Sequence, residues 1–286
     1  MDKWGNILRS TRIERTLIPI SFILLTCSIA NQINLEIFSL ILICTLIYIT
    51  GGILNAKVDN DFKLKKILIP SSILILIAII LSLQNKILII TTLAWIALSF
   101  LYNKKSRKIL FADSIILSIT HSLLPILSTA FILGIFHKTF PIAVFVFLSM
   151  NLIIPMKNLN GIQEDLKRKY KTLPTKFQNG RTITIFLFNL YSILIILSLF
   201  LFNLNPNILI LFSIIFLFHL LVNYLLKTKQ DYLAYTIARF IVILFNLTII
   251  LSISTNKIIL LGISLIAITY SAYLIKEVKN KWNTMM

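Results

Sequence analysis

Ten long apolar runs, nearly free of charge, govern what this chain can fold into. They lie near residues 17–33, 35–54, 67–84, 87–102, 114–135, 140–156, 183–203, 207–226, 236–254 and 258–275. A helix needs roughly 20 mostly apolar residues to cross a bilayer, with about 17 as the lower limit. Barrel strands would be about 10 residues long and would alternate in polarity, so these lengths specify helices. Only 13% of the 286 residues are charged and 58% are hydrophobic, whereas a soluble domain carries about 25% charge. So few charges cannot cover a surface that faces water. The expectation is one all-α domain over 1–286, a polytopic bundle of nine to ten spans with the lipid bilayer as its solvent.

The formal net charge is +18. In a soluble protein such basicity points to nucleic acid or acidic partners. Here the location of the charge decides. The N-terminal segment, the loops 55–66, 103–113, 157–182 and 227–235 (with Arg239 just beyond), and the tail from 276 all fall on one side of the predicted membrane. They hold 25 of the 28 Lys and Arg residues, and only Lys86, Lys138 and Lys257 fall on the other side. Loops rich in Lys and Arg stay in the cytoplasm. Both termini are therefore expected there, and no nucleic-acid partner is needed to explain the charge. The first apolar run lacks a small-residue cleavage site and is followed at once by another span, unlike a secretory signal. Cys27 and Cys44 lie inside apolar runs, where packing is the expected role.

Two of the basic loops also carry acids. "GGILNAKVDNDFKLKK" at 51–66 and "MKNLNGIQEDLKRKYKTLPTKF" at 156–177 contain Asp59, Asp61, Glu164 and Asp165, four of the ten acidic residues in the chain. Carboxylates beside amide oxygens suit Mg²⁺, which takes hard oxygen ligands, keeps several waters and bridges substrate phosphates. Lys and Arg neutralise phosphate oxygens directly. Next to apolar helices, the natural ligand for such a site is a diphosphate with a greasy tail. If each loop begins as a continuation of the helix before it, Asn55 and Asp59 share a face at i, i+4, and Asn158 and Asp165 share one at i, i+7. Two such faces could meet across a bundle. Charge alone does not decide the matter, because a screened surface pair in any cytoplasmic loop has the same composition.

The order of residues adds to this reading. "NAKVD" at 55–59 resembles the first aspartate-rich motif of the UbiA-type membrane prenyltransferases, roughly N-D-x-x-D-x-x-x-D. The stretch from Lys157 resembles the second, roughly K-D-x-x-D-x-x-x-D followed by K-T-L-P, with Asp165 on its last aspartate and Lys171 to Pro174 on the trailing tetrad. "LYNKKSRK" at 101–108 looks like the family's tyrosine-plus-lysine loop, and "STRIERTL" at 10–17 like the arginine-bearing approach to the first span. The chain departs from the pattern at Ala56, Lys63, Asn158 and Gly161, where the family has aspartates.

The resemblance implies a helical bundle around a central cavity and transfer of a polyprenyl group from its diphosphate to an aromatic, quinone-precursor or lipid acceptor, assisted by Mg²⁺. Mapped onto this chain, it implies Asp59 and Asp165 as catalytic carboxylates. Asn55, Asp59 and Asp165 would hold the metal, with Asn158 as a neutral ligand and Glu164 or Asp61 as substitutes. Lys57, Tyr102, Lys104, Arg168 and Lys171 would contact the diphosphate, and Arg12 and His121 the acceptor.

Other residues have plainer readings. Asp113 is expected to cap a helix, Arg239 to snorkel to the membrane interface, and His219 and Asn246 to bond between helices. Two alternatives to an enzyme stand. A transporter or flippase would carry charged or Gly/Pro-broken segments deep in the spans, which are nearly charge-free here. A catalytically depleted, prenyl-lipid-binding homologue would explain the missing aspartates.

Overall fold

The computed structural model describes residues 11–58, 68–104, 106–201 and 208–283. Asp59 and Asp61 lie outside the described residues. Helix is the regular structure of the described residues, and ten apolar helices follow in order: α1 Leu17–Ala30, α2 Leu35–Val58, α3 Leu68–Ser82, α4 Lys86–Lys104, α5 Ala112–Ile132, α6 Phe136–Ile153, α7 Gly180–Leu201, α8 Leu209–Lys227, α9 Asp231–Ile253 and α10 Lys257–Asn283. Among the described residues nine helical segments are long and apolar enough to cross a membrane, and α3 is a shorter apolar helix. At 15 residues the described part of α3 rises only about 22 Å, less than the ~30 Å hydrocarbon thickness. The chain is thus a multi-pass membrane protein, and each apolar run read from the sequence corresponds to one helix.

Helices α1 and α9 are the most deeply buried spans. α1 packs against α2, α5, α9 and α10, which brings the first and last helices together, and α9 is flanked by α8 and α10. The outward faces carry residues such as Ile73, Leu93, Phe216, Leu217, Leu261 and Ile268. Lipid solvates these side chains without cost.

Asparagine shapes the turns on the side that carries few basic residues. Asn31 ends α1 in the left-handed conformation at φ 50°, and its N–H donates to the Cys27 and Ser28 carbonyls. Its Oδ1 accepts from the backbone N–H of Thr255 and Asn256, while its Nδ2 donates to Thr255 Oγ1 at 2.7 Å. One residue therefore closes α1 and ties it to the α9–α10 turn. Asn34, Asn85 and Asn256 each accept a backbone N–H at the start of α2, α4 and α10.

The opposite end carries the irregular structure. Ile13–Thr16 is a short 3₁₀ turn ahead of α1. After α6 the chain tightens into a 3₁₀ segment, Ile154–Gly161, and then forms a short α-helix, Ile162–Lys167. Asn158 and Asp165 consequently sit on two differently wound pieces, not seven residues apart on one α-helix as the sequence led us to expect. The K-T-L-P tetrad has a visible structural role. Thr172 caps the short helix Leu173–Lys176, its N–H accepted by Thr175 Oγ1 at 2.9 Å, and Leu173 is buried. Gly180, the first residue of α7, lies so close that a Cβ there would stand 2.3 Å from the Leu173 carbonyl oxygen. The loop is thereby clamped onto the start of α7.

Candidate functional site

Two cavities open at the irregular end and share their walls. The inner chamber lies among the ends of α2, α4, α5 and α9, with about 760 Å³ of empty space including its open side. The outer mouth lies above it, against 157–168 and the starts of α9 and α1. Arg12, Arg15, Lys157, Tyr235 and Arg239 line both and make up the shared layer between them, the neck.

Asn55 is buried on the inner chamber, near the end of α2. Gly51 and Gly52, one turn earlier, line the same wall and leave it open. Tyr102 and Asn103 come from the end of α4. Lys157 Nζ donates to the Tyr102 hydroxyl and lies 4.8 Å from the centroid of its ring. His121 comes from α5, where Ile119–Leu123 forms a single π turn. Pro125 follows closely and has no N–H for an ordinary helical bond, a local cause for such a turn. The Leu124 N–H reaches back to the Ile119 carbonyl, and Trp95 Nε1 donates to the Thr120 carbonyl at 3.1 Å. His121 Nδ1–H donates to the Leu117 carbonyl at 2.8 Å, and its ring stands edge-on to Tyr48 at 5.2 Å. That bond fixes the tautomer and leaves Nε2 as the acceptor nitrogen of a chamber-lining ring.

The outer mouth brings together Asn158, Glu164, Asp165 and Arg168 with the neck cations. Asn158 is buried, and its Nδ2 donates to Asp113 Oδ2 at 2.8 Å. Asp113 therefore does not cap α5, whose N-cap residue is Phe111 with no side-chain cap bond. It instead orients Asn158 so that the amide carbonyl oxygen is the end left for a ligand. Asp165 is half-buried and Glu164 exposed. Arg12 has a left-handed backbone, φ 48°, at the start of the 3₁₀ turn, a conformation that costs a non-glycine residue on the order of 1–3 kcal/mol. Arg15 Nε lies 3.7 Å from Glu14 Oε1.

Arg239 departs from the sequence expectation. It is only 5% exposed and lines the chamber and the mouth. Its guanidinium carbon sits 4.9 Å from the Tyr235 ring centroid and 5.8 Å from that of Tyr270. The surrounding α9 residues are buried, and the side chain turns into the neck. Asn246 bonds across helices as expected, donating to Ser21 Oγ at 2.8 Å. His219 instead bonds its own helix at the Ile215 carbonyl and stacks on Phe188.

Of the residues singled out from sequence, Asn55, Tyr102, His121 and Arg12 line the inner chamber, and Arg12, Asn158, Glu164, Asp165 and Arg168 line the mouth. Lys57 and Lys171 are exposed and line neither cavity. Asp59 and the Lys104 side chain lie outside what is described. Arg15, Lys157, Arg239, Asp113 and Tyr48 were not singled out as site residues. Lys157 and Arg15 stand inside the quoted motif stretches, so a signal for them existed. Asp113 and Arg239 gave none beyond being charged at a span end.

Mg²⁺ can be tested against these donors. Among the described residues no three His, Cys, Asp or Glu side chains cluster as a metal cage. The Asn158 amide oxygen and the carboxylates of Asp165 and Glu164 do share the mouth. Such a set fits a hydrated Mg²⁺, which keeps several waters and takes only one or two carboxylates from the protein.

The sequence matches the UbiA prenyltransferase family over residues 56–247. No curated protein matches it. The fold resembles that of a digeranylgeranylglyceryl phosphate synthase, at 20% identity and a TM-score of 0.60, over 88% of this chain and 99% of that one. It also resembles a UbiA homologue from Aeropyrum pernix K1 in its apo state, at 13% identity and a TM-score of 0.66, over 84% of this chain and 98% of that one. Identities this low speak for the fold alone; with the family match spanning more than half its length, the chain belongs to the UbiA prenyltransferase family.

Proposed function

We propose that the chain transfers a polyprenyl group from its diphosphate to a hydrophobic acceptor, with the reaction at the cytoplasmic end of the bundle. The observation that carries this reading is the shared neck. The Asn55 wall and the Asn158–Asp165 wall, 103 positions apart in sequence at their asparagines, line adjacent cavities that share the same five lining residues. The side that carries 25 of 28 basic residues is the side of the mouth, which supports a cytoplasmic placement.

In this reading Asp165, Glu164 and Asn158 hold Mg²⁺, together with Asn55 and Asp59 from the end of α2 and the segment after it. When bound, the metal neutralises charge that builds on the departing diphosphate. Asp113 holds the Asn158 amide in the orientation that offers its oxygen. Arg168 and Tyr102 contact phosphate oxygens, the latter with its hydroxyl fixed by Lys157; Lys57, Lys104 and Lys171 are the further candidates that the sequence offers. The allylic C1–O bond breaks with its electron pair leaving on the diphosphate. The acceptor supplies the pair for the new bond and then loses a proton to His121 Nε2 in this reading. The apolar walls of the bundle keep water from the electron-poor carbon. Arg12 holds the polar end of the acceptor in the chamber. The acceptor reading fits an aromatic, quinone-precursor or lipid head.

A second reading, binding of prenyl diphosphates without turnover, draws on Ala56, Lys63, Asn158 and Gly161 standing at aspartate positions of the family pattern. One experiment separates the two. The full chain, purified in detergent, is given labelled prenyl diphosphates of several lengths with and without Mg²⁺, and diphosphate release and prenyl transfer are followed. Turnover that falls about ten-fold or more in Asp165→Ala supports transfer. Tight binding with no release under any condition supports the second reading.

A further inference from the structure

Arg239 lies within a membrane-spanning helix, 5% exposed, yet among the described residues no carboxylate forms a salt bridge with it, and Glu14 of the mouth acts on it only at longer range. Its Nε is buried without a partner. The contacts it makes are with the faces of Tyr235 and Tyr270. A buried guanidinium left this way is costly, because stacking on a ring recovers only part of its lost hydration. Buried charges inside membranes are paired or face a water-filled cavity that serves a ligand. Arg239 faces such a cavity, since it lines both the chamber and the mouth.

Its neighbours carry the argument further. The residues common to both cavities include four cations, Arg12, Arg15, Lys157 and Arg239, and no carboxylate. The acids Glu14, Glu164 and Asp165 line only the outer mouth. Arg15 is paired with Glu14, but Lys157 and Arg239 have no salt-bridge partner among the described residues, and a diphosphate group brings several negative charges to them. Planar guanidinium forks suit phosphate oxygens. The Tyr102 hydroxyl, which accepts from Lys157, lines the chamber beside them.

We infer that Arg239 is a diphosphate-binding residue, and that the neck centred on it captures the diphosphate group without a metal ion. This rests on the proposed function for the identity of the ligand, and it adds a division of labour. Of the neck cations, Arg239 and Lys157 hold the leaving group while Arg12 serves the acceptor, and the sparse oxygen donors of the mouth add one hydrated Mg²⁺ where the family pattern supplies more aspartates.

The test uses the full chain in detergent or nanodiscs, with inorganic pyrophosphate as the probe in excess EDTA, read by thermal shift and calorimetry. Pyrophosphate is expected to bind in EDTA and to bind Arg239→Gln on the order of ten- to hundred-fold more weakly, the size of one lost charge-assisted bond pair. Arg239→Lys, which keeps the charge without the fork, should fall between. If pyrophosphate binds the unmodified chain only when Mg²⁺ is present, the inference is wrong, whatever the variants do. It is equally wrong if folded Arg239→Gln, judged by a monodisperse gel-filtration peak, binds as tightly as the parent, or if benzoate competes as well as pyrophosphate. Pyrophosphate binding in EDTA without any prenyl transfer would keep this inference and remove the catalytic reading. Transfer with no metal-free pyrophosphate binding would do the reverse.

Discussion

Replacing Asp113 by Ala removes the carboxyl that accepts from Asn158 Nδ2 at 2.8 Å. Both side chains are buried, Asp113 at 2% exposed and Asn158 at 6%, so water does not restore the bond. A hydrogen bond to a carboxylate contributes about 1.5–3 kcal/mol. Its loss frees the Asn158 amide to rotate and leaves a buried donor without a partner. Residues that orient a metal ligand in this way change metal affinity by about 10- to 100-fold when removed. The assay is a Mg²⁺ titration of prenyl-diphosphate binding to the purified chain, compared with Asp113→Asn, which keeps an oxygen to accept the bond. Asp113→Ala should shift the Mg²⁺ midpoint upward by one to two orders of magnitude, and Asp113→Asn by only a few-fold. If Asp113→Ala lowers thermal stability but leaves the Mg²⁺ midpoint where it was, Asp113 serves packing alone and Asn158 is not a metal ligand.

Three further outcomes follow from the backbone geometry. A Cβ at Gly180 would meet the Leu173 carbonyl oxygen at 2.3 Å and the Pro174 Cα at 2.7 Å, so Gly180→Ala should cost about 3 kcal/mol in thermal or chemical unfolding. At Gly161, with nothing within 4 Å, Ala should change stability by less than about 0.5 kcal/mol. Gly51 lines the chamber, and a Cβ there meets only Ser99 Oγ, at 3.8 Å. Gly51→Leu should therefore fold normally and reach into the chamber, raising the KM for acceptor while pyrophosphate binding holds steady. A loss of both together would show that the chamber and the diphosphate site are not separate.

The helices are legible in the sequence because the bilayer imposes a length and a polarity that little else imitates. Each of ten apolar runs became a helix, and their ends moved by a few residues where the sequence could not show a cap, as at Phe136, four residues before the apolar run was read to begin. Asn55, Asn158 and Asp165 are legible as candidates through motif order, and the first lines the inner chamber and the other two the mouth. What the sequence conceals is partnership across helices. Asp113 and Asn158 are 45 positions apart, and no local spacing reveals that one orients the other. The 3₁₀ winding of Ile154–Gly161 changes which residues share a face, and a heptad count along a continuous α-helix misses that. Arg239 reads as an ordinary basic residue near a cytoplasmic loop. Only the packing of α9 against its neighbours turns it inward. Lys171 stands in the most recognisable tetrad, yet the tetrad's visible work is structural, through the Thr172 cap, the buried Leu173 and the close approach of Gly180.

The central claim is that one diphosphate sits at the neck between chamber and mouth. A structure of the full chain with a non-hydrolysable prenyl thiodiphosphate and Mg²⁺ tests it most directly. The phosphate oxygens should lie within about 3 Å of the Arg239 and Lys157 nitrogens, with the metal on the Asn158–Asp165 side. Density for the head group outside both cavities, with the neck cations turned away from it, would contradict the claim.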